Sequence, residues 1–251
     1  EIVQKIYNKD SKYYVTSSFH SRSSSLARCV EILNPSNGIL LDIATGGGHV
    51  AIKMAEHCTK IIASDLTKGM IEAARENATS QKIKNIHFLR TDSEMISIAD
   101  SSLDYISVRI APHHFSEINS FIKEVFRVLK PEGKFVFVDN LCPEEKKESE
   151  VYNFFEKKRD PSHNACLPIS KLNEIFINSG FQILQIEMIK KKMNFPEWVD
   201  RPNIDQDIVT ELEKILLNCS PILQNWLNPR IEEGKIFFDE IEGLILARKP
   251  S

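Results

Sequence analysis

The chain has 251 residues, room for one large domain or one domain with a substantial insertion. With 42% hydrophobic, 27% charged and 8% aromatic residues, its composition is that of a soluble globular protein. The formal net charge of −3 argues against an electrostatic grip on nucleic acid, no apolar run approaches the roughly 18 residues of a membrane span, and no charged-then-apolar leader opens the sequence.

Residues 16–25 (TSSFHSRSSS) are polar and lead into a helical pattern over 26–33 that stops at Asn34-Pro35. An alternation then begins. Residues 39–43 read as a buried strand, and 50–57 as a helix starting beside three glycines. Residues 60–64 read as a second strand ended by Asp65, and Thr67 is placed to cap a helix with Met70, Ile71, Ala74 and Ala78 on one stripe. A third strand over 86–89 ends at Arg90-Thr91-Asp92. A fourth spans 103–108 and is followed by a helix over 117–129; KPEGKF (130–135) reads as a turn feeding a fifth strand over 135–139. Strands alternating with helices of this length predict a parallel, doubly wound α/β sheet.

After Asn140 the rhythm changes. Residues 141–168 are charged and proline-broken, 170–179 read as a helix closed by Gly180, and strand-like runs occupy 181–189 and 241–247. Residues 194–235 read as a helical insertion on the same domain, with Trp198 and Trp226 in a small apolar core; Lys190-Lys191-Lys192 reads as a solvated strand end. Five dispersed cysteines (Cys29, Cys58, Cys142, Cys166, Cys219) show no C-x-x-C spacing, so neither a metal site nor a disulfide framework is expected, and a reduced cytoplasmic protein fits.

The stretch LLDIATGGGHVAI (40–52) brings backbone close to a ligand, since glycine removes the side chains that would hold one away. A G-x-x-x-x-G-K-[ST] phosphate loop is absent. Gly46 to Ala51 formally satisfies G-x-G-x-x-A, with Asp65 at about the spacing of a ribose-binding acid, which keeps an NAD-dependent oxidoreductase open as an alternative. Against a dinucleotide stands Asp42, just ahead of the glycines, where a carboxylate repels a pyrophosphate and suits a cationic ligand. Asp92 adds a further acid at the end of the third strand.

These motifs in this order, with RVLKPEGKFVFVD (127–139), resemble the class I S-adenosylmethionine-dependent methyltransferases, in particular the type 11 branch near the ubiquinone/menaquinone-biosynthesis enzymes. The similarity covers about residues 13–193 and 241–248. The family's D-x-G-x-G-x-G is met by Asp42, Gly46 and Gly48, with Ala44 in place of the first glycine. The resemblance implies a Rossmann-like, seven-stranded, mostly parallel sheet with its last strand antiparallel. It also implies one methyltransferase domain over 1–251: an N-terminal lid and helix (1–36), a cofactor-binding core (37–140), and substrate-side loops, insertion and final strands (141–251).

By the same resemblance, S-adenosylmethionine, which leaves as S-adenosylhomocysteine, meets Asp42, Ala44, Thr45, Gly46 and Gly48 at its methionine end, Asp65 at its ribose, and Met70, Asp92 and Ser93 at its adenine, with Leu66 also among the cofactor-binding residues. Arg109 offers its backbone carbonyl to the cofactor's ammonium, or its guanidinium to an anionic substrate. His113 and His114, after the fourth strand, are candidate general bases, with His114 expected nearer the methyl path because Phe115 anchors the loop. Tyr14 and His20 of the lid, and Arg159 and His163 after the fifth strand, complete the substrate candidates. The expected partner is a small-molecule acceptor, with a homodimer as the possible assembly. A cofactor-binding protein or a cyclase on the same fold is the other alternative.

Overall fold

The computed structural model describes residues 24–200 and 204–251. Helix α1 (Ser24–Leu33) precedes β1 (Ile39–Ile43); α2 (His49–Met54) joins β1 to β2 (Lys60–Asp65), and α3 (Lys68–Ser80) joins β2 to β3 (Ile86–Arg90). Strand β4 (Leu103–Arg109) passes through a 3-10 turn (Pro112–His114) and α4 (Ile118–Val128) into β5 (Leu129–Asn140). Helices α5 (Lys146–Arg159) and α6 (Ile169–Asn178) lead to β6 (Gln182–Asn194). Helices α7 (Phe195–Val199), α8 (Gln206–Leu217) and α9 (Pro221–Leu227) then precede a hairpin of β7 (Arg230–Glu232) and β8 (Lys235–Arg248).

The strands lie in the order β3-β2-β1-β4-β5-β8-β6, with β7 paired to β8. Strands β1 to β5 are mutually parallel, and β8 runs antiparallel to both β5 and β6. The seven expected strands and the antiparallel last one are all present, and the three-residue β7 is an addition. Successive strand residues face opposite sides of the sheet, so two cores form. Phe135 and Phe137 pack with Phe121, Val125 and Phe176 of α4 and α6, whereas Val136 and Val138 pack with Leu26, Cys29, Val50 and Met54 of α1 and α2. Full burial of one such side chain contributes roughly 1.5–3 kcal/mol, which fixes strand register and hence which residues reach the strand ends.

Local signals act where the sequence places them. Thr67 accepts a hydrogen bond from the Met70 amide at 3.3 Å and so caps α3. Gly180 follows α6 with φ of 93°, the left-handed stop that glycine adopts without penalty. KPEGK is not a simple turn: it is a bulge within β5, where the pairing with β4 shifts register and Glu132 takes φ of 66°. Residues 141–168 contain a 14-residue helix, α5, rather than broken loop. Its apolar stripe is obscured in sequence because two glutamates, Glu148 and Glu156, are buried along with Tyr152 and Phe155.

The insertion is helical over 195–199, 206–217 and 221–227, whereas 230–235, also expected helical, belong to the β7–β8 hairpin; its core gathers Tyr152, Phe155, Trp198, Leu212, Leu216, Leu223 and Phe238. It sits on a ribbon formed where β6 and β8 outrun their neighbours, pairing as far as Asn194 with Phe237. Among the described residues, no helix is long and apolar enough to cross a membrane.

Candidate active site

The strand order reverses between β1 and β4, and there the loops leaving the carboxyl ends of the two strands diverge. Open α/β sheets bind ligands at such a switch point. Here the divergence opens a cavity of about 430 Å³, lined on one side by residues 42–47, 64–67 and 91–94 and on the other by residues 109–116 and part of the insertion.

The glycine loop is held from below by Asp42. Its carboxylate is buried and accepts hydrogen bonds from Thr45 Oγ1 at 2.6 Å, Ser107 Oγ at 2.8 Å and the Ala51 amide at 3.3 Å. Burial pushes its pKa up to about 6, and those hydrogen bonds and the nearby Arg109 oppose the rise. Above it the backbone turns left-handed three times in five residues: Ala44 (φ 50°), Gly46 (φ 53°) and Gly48 (φ 79°). Alanine holds the first of these positions at a cost of about 1–2 kcal/mol. A Cβ on Gly46 would meet no atom of the described residues within 4 Å, so among them the loop leaves this face clear. Gly48 is not among the lining residues; a Cβ there would sit 3.2 Å from that of Ala74, and its absence lets α2 begin against α3.

Asp65 ends β2 with its carboxylate at the cavity. Oδ2 accepts from the Gly46 amide at 3.1 Å, and Oδ1 from the Thr67 amide and hydroxyl at 3.0 and 3.1 Å. Burial raises its pKa, against the pull of these donors. Each carboxylate oxygen can accept two hydrogen bonds, so Oδ2 retains capacity for a ligand hydroxyl. Leu66 and Met70 also line this wall, together with Asp92, whose Oδ1 accepts from the Glu94 amide at 2.9 Å, and Ser93. Four acids and no lysine or arginine stand along the 42–94 side of the cavity.

The opposite wall carries both sequence-predicted histidines. Asp139, at the end of β5, accepts from the His113 amide at 2.6 Å and pairs with His113 Nδ1 at 2.6 Å. Burial pushes the Asp139 carboxyl up to about 8. His114 directs Nδ1 to the Ser162 carbonyl at 3.0 Å, and burial drives its pKa down to about 3. The His113 carbonyl in turn accepts from the Asn164 and Ala165 amides, which ties the turn to the loop after α5. Phe115 packs edge-on against Phe121 at 4.8 Å, the anchoring that its apolar character suggests. Between Arg109 and the turn, Ile110 takes φ of 51°, a strained conformation for a β-branched residue and one concentrated at functional sites.

The far end is built by the insertion. Phe155 stacks on Trp198 at 4.8 Å, and the Arg159 guanidinium lies over the Trp198 ring at 4.3 Å. Trp198 Nε1 donates to Glu240 Oε1 at 2.9 Å. Lys191 corrects a sequence expectation: it is not part of a solvated strand end but lines the cavity, 3.2 Å from the buried Glu242. Strand alternation explains this, since Lys190 and Lys192 point the other way and only Lys191 turns inward. Trp198, expected as insertion core, is both core and cavity wall.

The structure thus brings Asp42, Ala44, Thr45, Gly46, Asp65, Leu66, Met70, Asp92, Ser93, Arg109, His113, His114 and Arg159 to one cavity. His163 lies behind it, with Nε2 2.8 Å from Asn153 Oδ1 and its ring 5.5 Å from that of His113. Tyr14 and His20, with the rest of the expected lid, fall outside the described residues. Sequence reasoning did not single out Asp139, Asn140, Lys191 or Glu240. Asp139 was accessible to the rule that found Asp42 and Asp65, an acid closing a buried strand; the others are assembled by the fold.

Residues 41–137 match the family model described as a methyltransferase domain. The uncharacterized methyltransferase YcgJ of Bacillus subtilis is 32% identical over 177 residues, covering 69% of this chain and 70% of that protein. The ubiquinone/menaquinone biosynthesis C-methyltransferase UbiE of Rickettsia prowazekii is 30% identical over 133 residues, 50% of this chain and 54% of its own length. Among solved structures, a Bacillus halodurans protein described as a methyltransferase superposes with a TM-score of 0.86 at 31% identity, over 91% of this chain and all of its own.

Proposed function

The chain belongs to the S-adenosylmethionine-dependent methyltransferases, and from that premise we propose that it is a cytoplasmic, single-domain enzyme methylating a small-molecule acceptor in the cavity between the glycine loop and the insertion. The carrying observation is the polarity of the two walls. Four acids line the side that the glycine loop opens, with Arg109 near Asp42 and no lysine or arginine among residues 42–94 of the lining, a setting that repels pyrophosphate and accepts a sulfonium and an ammonium. That side fits the cofactor in detail as well: Asp65 Oδ2 has acceptor capacity for a ribose hydroxyl, Met70 offers an apolar surface for a base, and Asp92 with Ser93 offers polar groups for its edge.

When bound, S-adenosylmethionine supplies a methyl group on a sulfonium that is already a good leaving group. The protein's work is therefore chiefly alignment, which can lower a barrier by about 7–11 kcal/mol. The loop over 44–48 and Asp65 fix one end of the line. The 3-10 turn at 112–114, held by Asp139 and the 164–165 amides, fixes the wall that faces the acceptor. Where the acceptor must lose a proton, His113 is the base we favour over His114. An ionised Asp139 takes a proton-bearing Nδ1, which directs the basic Nε2 lone pair away from Asp139. His114 is held neutral by burial and shapes the pocket.

Titration calorimetry on the purified protein tests this reading. S-adenosylhomocysteine should bind stoichiometrically and NADH should not. The reverse pattern would return the site to the dinucleotide-dependent oxidoreductases.

A further inference from the structure

The acceptor end of the cavity has unused hydrogen-bonding capacity of one particular kind. Arg159 is 12% exposed at its side chain and is braced by its stack on Trp198, 4.3 Å below the guanidinium. Its protein contacts are long: Nη1 reaches the Trp198 carbonyl at 3.4 Å, and Nη2 lies 3.6 Å from Glu156 Oε2. Its Nε is buried with no hydrogen-bond partner among the described residues. Buried donors left unsatisfied are costly, and a planar guanidinium held in place matches the two oxygens of a carboxylate or a phosphate. Asn140 also lines the cavity, and its Oδ1 is likewise buried without a hydrogen-bond partner among the described residues.

The acids on the same wall do not compete for a cationic acceptor in the same way. Glu240 Oε1 takes the Trp198 indole N–H, Asp160 Oδ1 takes the Ser162 amide and hydroxyl, Glu197 Oε1 takes the Asn194 side-chain amide, and the Trp198 face that would attract a cation is already covered by Arg159.

We propose that the acceptor is an anion, recognised by a carboxylate or phosphate docked on Arg159, with Asn140 Oδ1 taking a hydrogen bond from a hydroxyl or amine of the same molecule; this rests on the reading of the cavity as a methyltransferase site. Such a substrate differs in kind from an uncharged lipophilic ring, for which a desolvated arginine would be a penalty.

The stack supplies its own reporter. The chain has two tryptophans, so a Trp226→Phe background leaves Trp198 as the only indole. In that background, with S-adenosylhomocysteine at saturation, acetate, inorganic phosphate and the neutral isostere acetamide are titrated at constant ionic strength while Trp198 emission is followed. Acetate, phosphate or both should give a saturable change, and acetamide none; whichever anion binds more tightly identifies the group. Arg159→Leu should weaken the response at least 10-fold, and Arg159→Lys should restore part of it. A wild-type response absent for both anions, equal for acetamide, or unchanged in Arg159→Leu overturns the proposal. S-adenosylhomocysteine affinity, measured separately, should be unchanged in Arg159→Leu, which also certifies its fold. Failure of the unmodified protein to bind that cofactor product would instead strike the methyltransferase reading and leave the anion response to be judged alone.

Discussion

Asp42 makes a quantitative statement about stability that needs no substrate. Its folded pKa is about 6, raised by burial from an unfolded value near 3.9. A carboxyl whose pKa is higher in the folded state binds more protons folded than unfolded between those values, so its contribution to stability falls as pH rises through that window. A gap of about two pH units at about 1.4 kcal/mol per unit gives about 3 kcal/mol. Asp42→Asn cannot titrate. Thr45 and Ser107 can rotate their hydroxyls toward the new amide, and whatever that exchange costs is independent of pH. The melting temperature of the variant minus that of the wild type should therefore climb between pH 4 and pH 7. At about 2–4 °C per kcal/mol for a chain of this size, the climb is about 6–12 °C. Scanning fluorimetry at four pH values measures it. Parallel curves, with a difference constant to within about 2 °C, would refute the assignment of a strained, buried charge beneath the glycine loop.

Three other outcomes follow from the site. Asp65→Ala should weaken S-adenosylhomocysteine binding by about 10–10²-fold, since one charge-assisted hydrogen bond at about 1.5–3 kcal/mol is removed; calorimetry showing a change under 5-fold would remove Asp65 from the ribose. If the acceptor is methylated at a group that must lose a proton, kcat should rise with pH up to about 8, because only ionised Asp139 holds the Nδ1 proton of His113 in place. Asp139→Asn should flatten that profile and lower kcat by about 10²–10⁴-fold with cofactor affinity intact, and a wild-type-like profile in the variant would reassign the pair to packing. Ala44→Gly relieves a left-handed alanine and should stabilise the protein by about 1 kcal/mol; a lowered melting temperature would contradict that.

The half of the fold up to residue 140 is legible because each element is punctuated locally. Buried runs end in Asp42, Asp65 or Asp92, glycine or proline marks the turns, and Thr67 caps its helix. The cofactor wall inherits that legibility, since Asp42, Ala44, Thr45, Asp65, Leu66 and Asp92 all lie within two residues of a strand end. The acceptor wall does not. Arg159 is the last residue of a helix whose buried glutamates hide its periodicity, and Trp198, Glu240 and Lys191 come from an insertion and two long strands that meet only once β8 has slotted between β5 and β6. A lysine in a run of three reads as solvent-facing until the partner strand shows which one faces Glu242. The ranking of His113 against His114 needed Asp139, 26 residues on from His113, to be seen at 2.6 Å from its ring.

Methyl transfer itself is the claim on which the rest depends. The protein is incubated with S-adenosylmethionine labelled on the methyl group and a cell extract split at 1 kDa by ultrafiltration, and both released S-adenosylhomocysteine and labelled product are counted. Cofactor turnover should require the low-mass fraction, leave the label in that fraction, and fall at sub-saturating cofactor in Asp65→Ala. Label in the macromolecular fraction, or a cofactor that binds without turnover under either fraction, would contradict this reading.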